Sequence, residues 1–531
     1  MPRIEPVETD QNSGVFTMIE NWNRRDFVKA ALAGMAFGPR VFGLSMRSNP
    51  GLKAPQERPN IVYILADDLG YGDIVTFNEN SKIPVPHLDQ LAQEGMAFTD
   101  AHSGSAVCTP TRYGILTGRY SWRSRLKKGV TYGDSPHLIE DTRMTVASML
   151  KRQDYHTACI GKWHLGWDWA MKSDNPNEID FSKPIQHGPA ANGFDYSFCI
   201  PASLDMPPYV YVENNTVTAL PDRIVEGKTG KLLMREGLTG ADFEHRDVLP
   251  TLTEKTVAYI DRRGRGKKPF FLYFSLPAPH TPILPTKDFQ GKSGTNEYGD
   301  FVMQIDWVVG QVMEALERNG LEDNTLLIFT NDNGSSPNAD FEYLAQIGHN
   351  PNYIFRGHKA DIYEGGHRVP LIARWPGRIK AGSVCDDTTC LTDLMATVAE
   401  ITGYPLPDDA GQDSVSMLPN LLGTAKGPVR EATVHHSVNG SFAIRQGKWK
   451  LILCSGSGGW SFPRPGSPEA RQLPPVQLYD LNSDIGETTN VQDKHPDVVK
   501  RLTNLLQDYV DRGRSTPGAT QKNDGEVVIS Q

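Results

Sequence analysis

At 531 residues, with 38% hydrophobic and 22% charged residues, the chain has the composition of a folded globular protein, long enough for one large domain and a smaller one. Its 54 basic and 63 acidic residues give a formal net charge of −9, and no basic run or basic-aromatic interleaving is present, which excludes a nucleic-acid-binding protein. A net-negative chain that handles an anion must concentrate positive charge locally, in a cleft.

The N-terminus reads as an address and not as fold. Asn23-Arg24-Arg25-Asp26-Phe27-Val28-Lys29, followed by the apolar run Ala30 to Phe37, resembles a twin-arginine export signal. Residues 1–57 are accordingly expected to be signal and leader, recognised by the Tat translocase, with a periplasmic or extracellular destination. Met18 as initiator would give the signal a more usual length. The run is too short and too rich in Gly and Ala to cross a bilayer, and no other stretch is long enough, so no integral membrane span is expected. Twin-arginine cargo folds in the reducing cytoplasm, so the six cysteines are not expected to form a disulfide framework. The spacing of Cys385 and Cys390 alone does not show a pair, and no CxxC pair or His/Cys cluster suggests structural zinc.

Ile61 to Ala66 is a continuous apolar, β-branched run, read as a strand buried on both faces, and it ends in Asp67-Asp68. Two adjacent carboxylates repel unless a cation sits between them. Pro86 to Gly95 predicts a helix with Leu88, Leu91 and Ala92 on one face. Next, the small-residue loop Ala106-Val107-Cys108 runs into a helix. Thr109 offers an N-cap oxygen there, and Pro110 suits the first helical position. Cys108 then sits at the positive end of the helix dipole with Arg112 one turn on, a place that stabilises an anion and activates a cysteine. Thr145 to Arg152 predicts a short helix. His156 to Gly161 predicts a second strand ending in Lys162-Trp163-His164, and in extended chain Lys162 and His164 face one way.

Residues 167–250 are rich in Pro, Asn, Asp and Gly and read as an elaborated insertion with little regular structure. Leu252 to Arg262 predicts a helix. Pro269 to Ser275 predicts a strand running into Leu276 to Pro282, where three prolines surround His280. A helix over 301–318 precedes the strand Leu326 to Thr330, which ends in Asn331-Asp332-Asn333-Gly334. The polar segment Phe355 to Pro370 carries Arg356, His358 and Lys359 and leads into a strand over Leu371 to Pro376.

This alternation of strand, polar cluster and helix predicts an α/β fold with a doubly wound, mainly parallel sheet. Ligand sites in such sheets lie at the C-terminal strand ends, so the polar clusters are expected to converge on one cleft. The catalytic domain is expected over 58–423. Short strands over 431–436, 441–445, 449–454 and 476–481, with an amphipathic helix over 497–512, predict a smaller α+β subdomain over 424–512. Residues 513–531 read as a disordered tail.

Cys108-x-Pro110-x-Arg112, followed by Ile115-Leu116-Thr117-Gly118, resembles the signature of the type I, formylglycine-dependent sulfatases of the alkaline-phosphatase superfamily. The resemblance runs from about Asn60 to the C-terminal helix with its motifs in the family order. It implies that a formylglycine-generating enzyme oxidises Cys108 to formylglycine (3-oxoalanine), whose hydrate is the nucleophile. It also implies a Ca²⁺ site, with Mg²⁺ possible, made by Asp67, Asp68, Asp332, Asn333 and the formylglycine from Cys108. Oxygen donors of this kind suit such hard ions. Lys162, His164, His280 and Lys359 match the family's sulfate-binding and acid/base residues, and Arg112 the arginine that steadies the formylglycine. In the implied reaction one hydroxyl of the hydrate attacks sulfur and His280 protonates the departing alcohol. His164 then takes the proton of the second hydroxyl as sulfate leaves.

Ser203 to Tyr209 and Pro277 to Pro285 look like stretches of bacterial exported sulfatases acting on polysaccharides. The expected substrate is therefore a sulfated carbohydrate, such as a galactose or N-acetylgalactosamine sulfate, with Asp205, Trp169, Arg356 and His358 as a candidate sugar-binding wall. The other readings are an arylsulfatase acting on small aryl sulfates, a phosphodiesterase or phosphonate monoester hydrolase of the same superfamily, and a non-catalytic exported glycan-binding protein.

Overall fold

Five apolar strands form the parallel centre of a ten-stranded sheet in the computed structural model, which describes residues 58–173, 175 and 178–529. The twin-arginine stretch lies outside the described residues. The strands are β1 (Asn60–Asp67), β2 (Met96–Phe98), β3 (His156–Lys162), β4 (Tyr196–Ile200), β5 (Val212–Glu213), β6 (Thr216–Val217), β7 (Phe270–Pro279), β8 (Thr325–Asn331), β9 (Leu371–Arg374) and β10 (Ser383–Cys385). They lie in the order β10-β2-β9-β8-β1-β7-β3-β4-β5-β6. Strands β8, β1, β7, β3 and β4 are mutually parallel, with Ile61 paired to Leu326 on one side and to Phe271 on the other. The flanks turn antiparallel at β9 and at β5.

The helices that sandwich this sheet are α1 (Pro86–Glu94), α2 (Cys108–Thr117), α3 (Val146–Lys151), α4 (Val248–Gly264), α5 (Glu297–Arg318) and α6 (Leu394–Thr402). Strand alternation sorts β1 to two cores. Val62 and Ile64 pack with Leu88 of α1, Leu252 of α4 and Val309 of α5. Ile61, Tyr63 and Leu65 pack with Ile115 of α2, Met149 of α3 and Leu394 of α6. This is the doubly wound α/β architecture that the alternation predicts.

Three local expectations change. The insertion over 167–250 supplies β4, a buried parallel strand beside β3. Its five residues between polar stretches give too short an apolar signal to stand out. Helix α2 begins at Cys108 itself, with Val107 as N-cap; the Thr109 hydroxyl donates to the His164 carbonyl at 2.9 Å and caps nothing. The C-terminal stretch, expected to be disordered, is docked as far as it is described. Asp524 pairs with Arg119 at 2.9 Å and Asn523 accepts from Arg123 at 3.0 Å. Both arginine side chains are fully buried and need those acceptors, a demand that the polar composition of the tail does not reveal.

A second, antiparallel sheet follows: β11 (Thr433–His436), β12 (Phe442–Gln446), β13 (Trp449–Ile452) and β14 (Gln477–Asp480). One face packs on α7 (Pro496–Asp511), where Leu502 and Leu506 meet Val434, Ile444 and Leu451. The other face, with Ile452 and Tyr479, rests on Ile362 and Tyr363. The small sheet therefore backs the segment that follows Lys359, and the described residues belong to a single compact unit. Among the described residues no helix is long and apolar enough to cross a membrane, and all six cysteines are free.

Candidate active site

The C-terminal ends of β1, β3, β7 and β8 deliver Asp67, Lys162, His280 and Asp332 to one place, and α2 presents Cys108 above them. Three residues there leave the usual backbone regions: Asp68 (φ 68°), His164 (φ 55°) and Ala360 (φ 79°). Such left-handed conformations cost about 1–3 kcal/mol each and cluster at functional sites. At Asp68 and His164 they turn the chain sharply off the strand. Lys162 and His164 reach the same centre by that turn and not by extended alternation. Gly334 allows the loop after β8 to lie against residue 365; a Cβ there would stand 1.8 Å from the Gly365 carbonyl oxygen.

Three buried carboxylates face three buried cations. Lys162 Nζ lies 2.6 Å from Asp67 Oδ2, Lys359 Nζ 2.7 Å from Asp68 Oδ2, and Arg112 Nη2 2.7 Å from Asp332 Oδ2. Arg112 also donates to the Lys162 carbonyl at 3.2 Å and to the Ser275 hydroxyl. Burial alone would raise the Asp67 carboxyl, but Lys162, His280 and Arg112 together hold it well below its usual range. Burial and the charge of Asp67 push Asp332 up to about 6. Lys359 is held above its ordinary value, because Asp68 and the neighbouring acids outweigh its burial.

Cys108 Sγ lies 3.5 Å from Asp67 Oδ1, and the residue is 2% exposed. Burial pushes its thiol up, against the pull of Lys162 and Lys359. Burial thus works against the activation that the helix start and the two lysines favour.

Several buried polar atoms at this centre have no hydrogen-bond partner: Asn333 Oδ1, His164 Nδ1, Ser203 Oγ and Asp205 Oδ1. Buried polar atoms are normally paired, so exceptions call for a ligand. Asn333 Oδ1 sits beside an all-oxygen set, since Asn333 Nδ2 donates to Asp68 Oδ1 at 2.8 Å and the Asp68 amide to Asp332 Oδ1 at 3.4 Å. Oxygen donors of Asp67, Asp68, Asp332 and Asn333 fit a hard divalent cation. His164 donates Nε2–H to the Thr131 carbonyl at 2.7 Å, which leaves Nδ1 as a free acceptor. Burial, with the charges of Lys162 and Arg112, holds this imidazole neutral well below its usual range. His280 has Nδ1 on the Thr281 carbonyl at 2.8 Å and Nε2 3.7 Å from Asp68 Oδ2.

A cleft of about 580 Å³ opens over this centre, lined by Cys108, His164, His280 and Lys359 together with Lys128, Tyr132, Ser203, Asp205, Arg235 and Trp460. Asp205 thus joins the cleft, bound to Arg235 at 2.5 Å. The other expected wall residues do not line it. Trp169 donates to the Gly133 carbonyl at 2.9 Å and packs on Trp167 and Phe181 in the core. Arg356 donates to the Glu487 carbonyl at 2.6 Å and lies over the Tyr363 ring. His358 bonds the Lys359 carbonyl at 2.9 Å and packs on Phe341. Each is engaged in holding the scaffold.

Reading the sequence missed Tyr132, Arg235 and Trp460 on the cleft rim, and Asp361 behind it. Asp361 accepts from the backbone amides of Trp460 at 2.8 Å and Ser461 at 2.9 Å, which fixes a loop of the C-terminal region over the cleft. A lone Trp in the Gly/Ser run 455–461 was the available signal.

The fold and this centre agree with what the chain resembles. The Sulfatase family model matches residues 59–404. N-acetylgalactosamine-6-O-sulfatase of Bacteroides thetaiotaomicron is 36% identical over 493 residues, covering 85% of this chain and 93% of that protein. Human arylsulfatase A is 33% identical over 486 residues, covering 88% and 90%. A solved structure from work on glycosaminoglycan metabolism in B. thetaiotaomicron superposes with a TM-score of 0.75 at 35% identity, covering 85% of this chain and 99% of that one. The chain belongs to the sulfatase family, within the alkaline-phosphatase superfamily, and is a sulfuric ester hydrolase.

Proposed function

We propose that the enzyme releases inorganic sulfate from a sulfated carbohydrate at the centre around Cys108, with N-acetylgalactosamine 6-O-sulfate as the leading substrate. The observation that carries this reading is the ring of unpartnered buried atoms, Asn333 Oδ1, His164 Nδ1, Ser203 Oγ and Asp205 Oδ1, among three buried cations. Support for a sugar comes from the relative named as an N-acetylgalactosamine-6-O-sulfatase and from a cleft that combines aromatic with polar rim residues.

Formylglycine made from Cys108 supplies an aldehyde hydrate as nucleophile, and Ca²⁺, or Mg²⁺, held by Asp67, Asp68, Asp332 and Asn333 supplies a hard Lewis acid. The protein's own groups do the rest. Three carboxylates and three cations balance; a bound dication would therefore leave the pocket net positive for a sulfate ester. Lys162 and Lys359 would supply the positive charge that neutralises the sulfuryl oxygens. With Nδ1–H held by the Thr281 carbonyl, His280 can act as general acid to the leaving alcohol only as the imidazolium, which gives the proton from Nε2, and His164 accepts a proton at its free Nδ1. Arg112 fixes Asp332 and the end of β3 in place.

Cys108 lies within α2 and is 2% exposed, so a formylglycine-generating enzyme must act before the chain folds. The same reading places maturation in the cytoplasm and the mature enzyme outside it after Tat export.

The test is the mass of the tryptic peptide carrying Cys108 after co-expression with a formylglycine-generating enzyme, followed by sulfate release from N-acetylgalactosamine 6-O-sulfate, an aryl sulfate and a phosphate diester. Loss of the sulfur with the sugar as preferred substrate is expected. An intact thiol in active enzyme would overturn the nucleophile; preference for the diester would overturn the substrate class.

A further inference from the structure

A second centre lies on the loops that frame the cleft. His137 and Asp141 stand between α2 and α3, and Asp168 and His187 belong to the excursion after β3. One carboxylate orients both imidazoles: Asp168 Oδ2 lies 2.9 Å from His137 Nδ1 and 2.7 Å from His187 Nδ1. The rings stack with centroids 4.3 Å apart and 26° between their planes. With both Nδ1–H groups donated to Asp168, the lone pairs of the neutral rings are on Nε2. Both Nε2 atoms approach one oxygen, Asp141 Oδ1, at 3.7 Å from His137 and 3.5 Å from His187.

The frame behind these side chains is built. Asp168 and Gln186 exchange backbone hydrogen bonds at 2.9 and 2.8 Å. The His137 amide donates to Asp168 Oδ1 at 3.1 Å, and Arg125 grips the carbonyls of Pro136 and His137 at 2.9 Å each.

We propose that His137, His187 and Asp141 bind one Zn²⁺ through two Nε2 atoms and a carboxylate oxygen, with Asp168 as the orienting carboxylate. Tetrahedral zinc, with ligand bonds of about 2.0–2.2 Å, sets its ligand atoms roughly 3.3 Å apart, close to the spacing to Asp141. A histidine ligand usually donates its other ring N–H to a carboxylate, which is the relation of both rings to Asp168. The donor set separates this centre from the one around Cys108, where the oxygens favour a hard cation and not zinc. With neutral rings, the two aspartates leave a charge that one dication offsets. The ion ties the loop that carries Tyr132 to the excursion that begins at His164, and so fixes two walls of the cleft from outside. The absence of cysteine pairs hides this site in the sequence, because its ligands and their orienting Asp168 are spread over residues 137 to 187 with no compact metal-binding spacing.

The experiment titrates zinc alone into calcium-loaded, full-length protein and counts bound metal after dialysis. One zinc per chain is expected, with Asp141→Asn and His187→Gln each weakening binding at least about tenfold and Asp168→Asn about 10–100-fold. Asp141 is exposed, so its variant keeps the fold. Asp332→Asn should leave this zinc in place, which separates the two centres. X-ray absorption at the zinc edge should show two nitrogen neighbours. Zinc uptake that is unchanged in Asp141→Asn and His187→Gln would overturn the proposal, and so would no uptake at all, which would leave a pair of ion-paired imidazoles.

Discussion

Two buried ionic clusters flank the segment 355–370, and they are built from similar residue types. Around Cys108, three acids face three cations and several polar atoms stay unpartnered. Behind that segment, where the small sheet meets the large one, Lys450 Nζ pairs with Glu364 at 3.0 Å and Glu487 at 2.8 Å. Arg445 and Arg368 share Asp100 at 2.6 and 3.1 Å, and His102 bonds Asp100 at 2.8 Å. His102, His367 and His435 lie close enough to suggest a metal site. Their ring nitrogens are already engaged: His102 with His367 at 3.1 Å, His367 with Lys450 at 3.0 Å, His435 with Ser103 at 3.1 Å and Thr433 at 3.0 Å. One cluster closes on itself, where even Glu487 Oε1, without a hydrogen bond, meets Lys450 at 2.8 Å, and the other stays open toward a cleft. What separates a site from a joint is therefore unsatisfied atoms beside a cleft and not the inventory of acids, bases and histidines.

The largest effect that tests this contrast is at Cys108. Cys108→Ala should cut turnover by at least about 10³-fold while leaving the melting temperature near that of the parent. Lys450→Met should do the reverse. Removing the one lysine between two buried glutamates leaves charge without a partner, a loss of about 3–5 kcal/mol in urea unfolding. Sulfate release per folded molecule should hold. Activity loss without destabilisation in Lys450→Met would erase the distinction between the clusters.

A smaller effect sharpens it through pH. Burial, with the neighbouring His435 imidazole and the charge of Lys450, keeps His367 well below the usual histidine range; burial lowers His102 and His435 likewise. Burial also takes His436 down to about 4. In the unfolded chain these groups bind protons near pH 6.5, so between that value and about 4 the native state holds fewer protons. Stability is thus fully present above about pH 6.5 and falls as the solution is acidified. The urea midpoint should drop from about pH 7 to about pH 5, and His435→Gln should flatten the slope.

The open cluster was far more legible in the sequence than the closed one. Asp67-Asp68, Lys162 and Asp332-Asn333 each end an apolar run, and an α/β sheet brings such strand ends together, so position along the chain predicted position in space. The acids and bases of the closed cluster sit on short strands and on a loop, where no periodicity marks which face is buried. Trp169, Arg356 and His358 misled for a related reason. A polar or aromatic residue near a motif is equally suited to line a cleft or to brace it, and only hydrogen-bond partners decide. The tail over 513–531 misled in the opposite direction, because nothing local shows that Arg119 and Arg123 bury fully and draw in residues some 400 positions away.

The smallest effect concerns a place where the C-terminal region reaches the open cluster. Trp460 is 41% exposed on the cleft rim, and its loop is pinned by Asp361 and by the Ser457 carbonyl, which accepts from the Ile362 amide at 2.8 Å. A rim aromatic held this way offers a flat face to a sugar but touches no reacting atom. Its contribution is binding shared by ground and transition states, which shows in KM and not in kcat. Trp460→Ala should raise KM for a sulfated oligosaccharide about three- to tenfold, roughly 0.7–1.4 kcal/mol, with kcat unchanged and aryl sulfate hydrolysis unaffected. Asp361→Asn should reproduce part of that shift by loosening the loop. A fall in kcat at unchanged KM would mean instead that the loop positions Lys359, whose Nζ lies 6.0 Å from the Trp460 ring. The C-terminal region would then belong to the reacting centre itself and not to its rim.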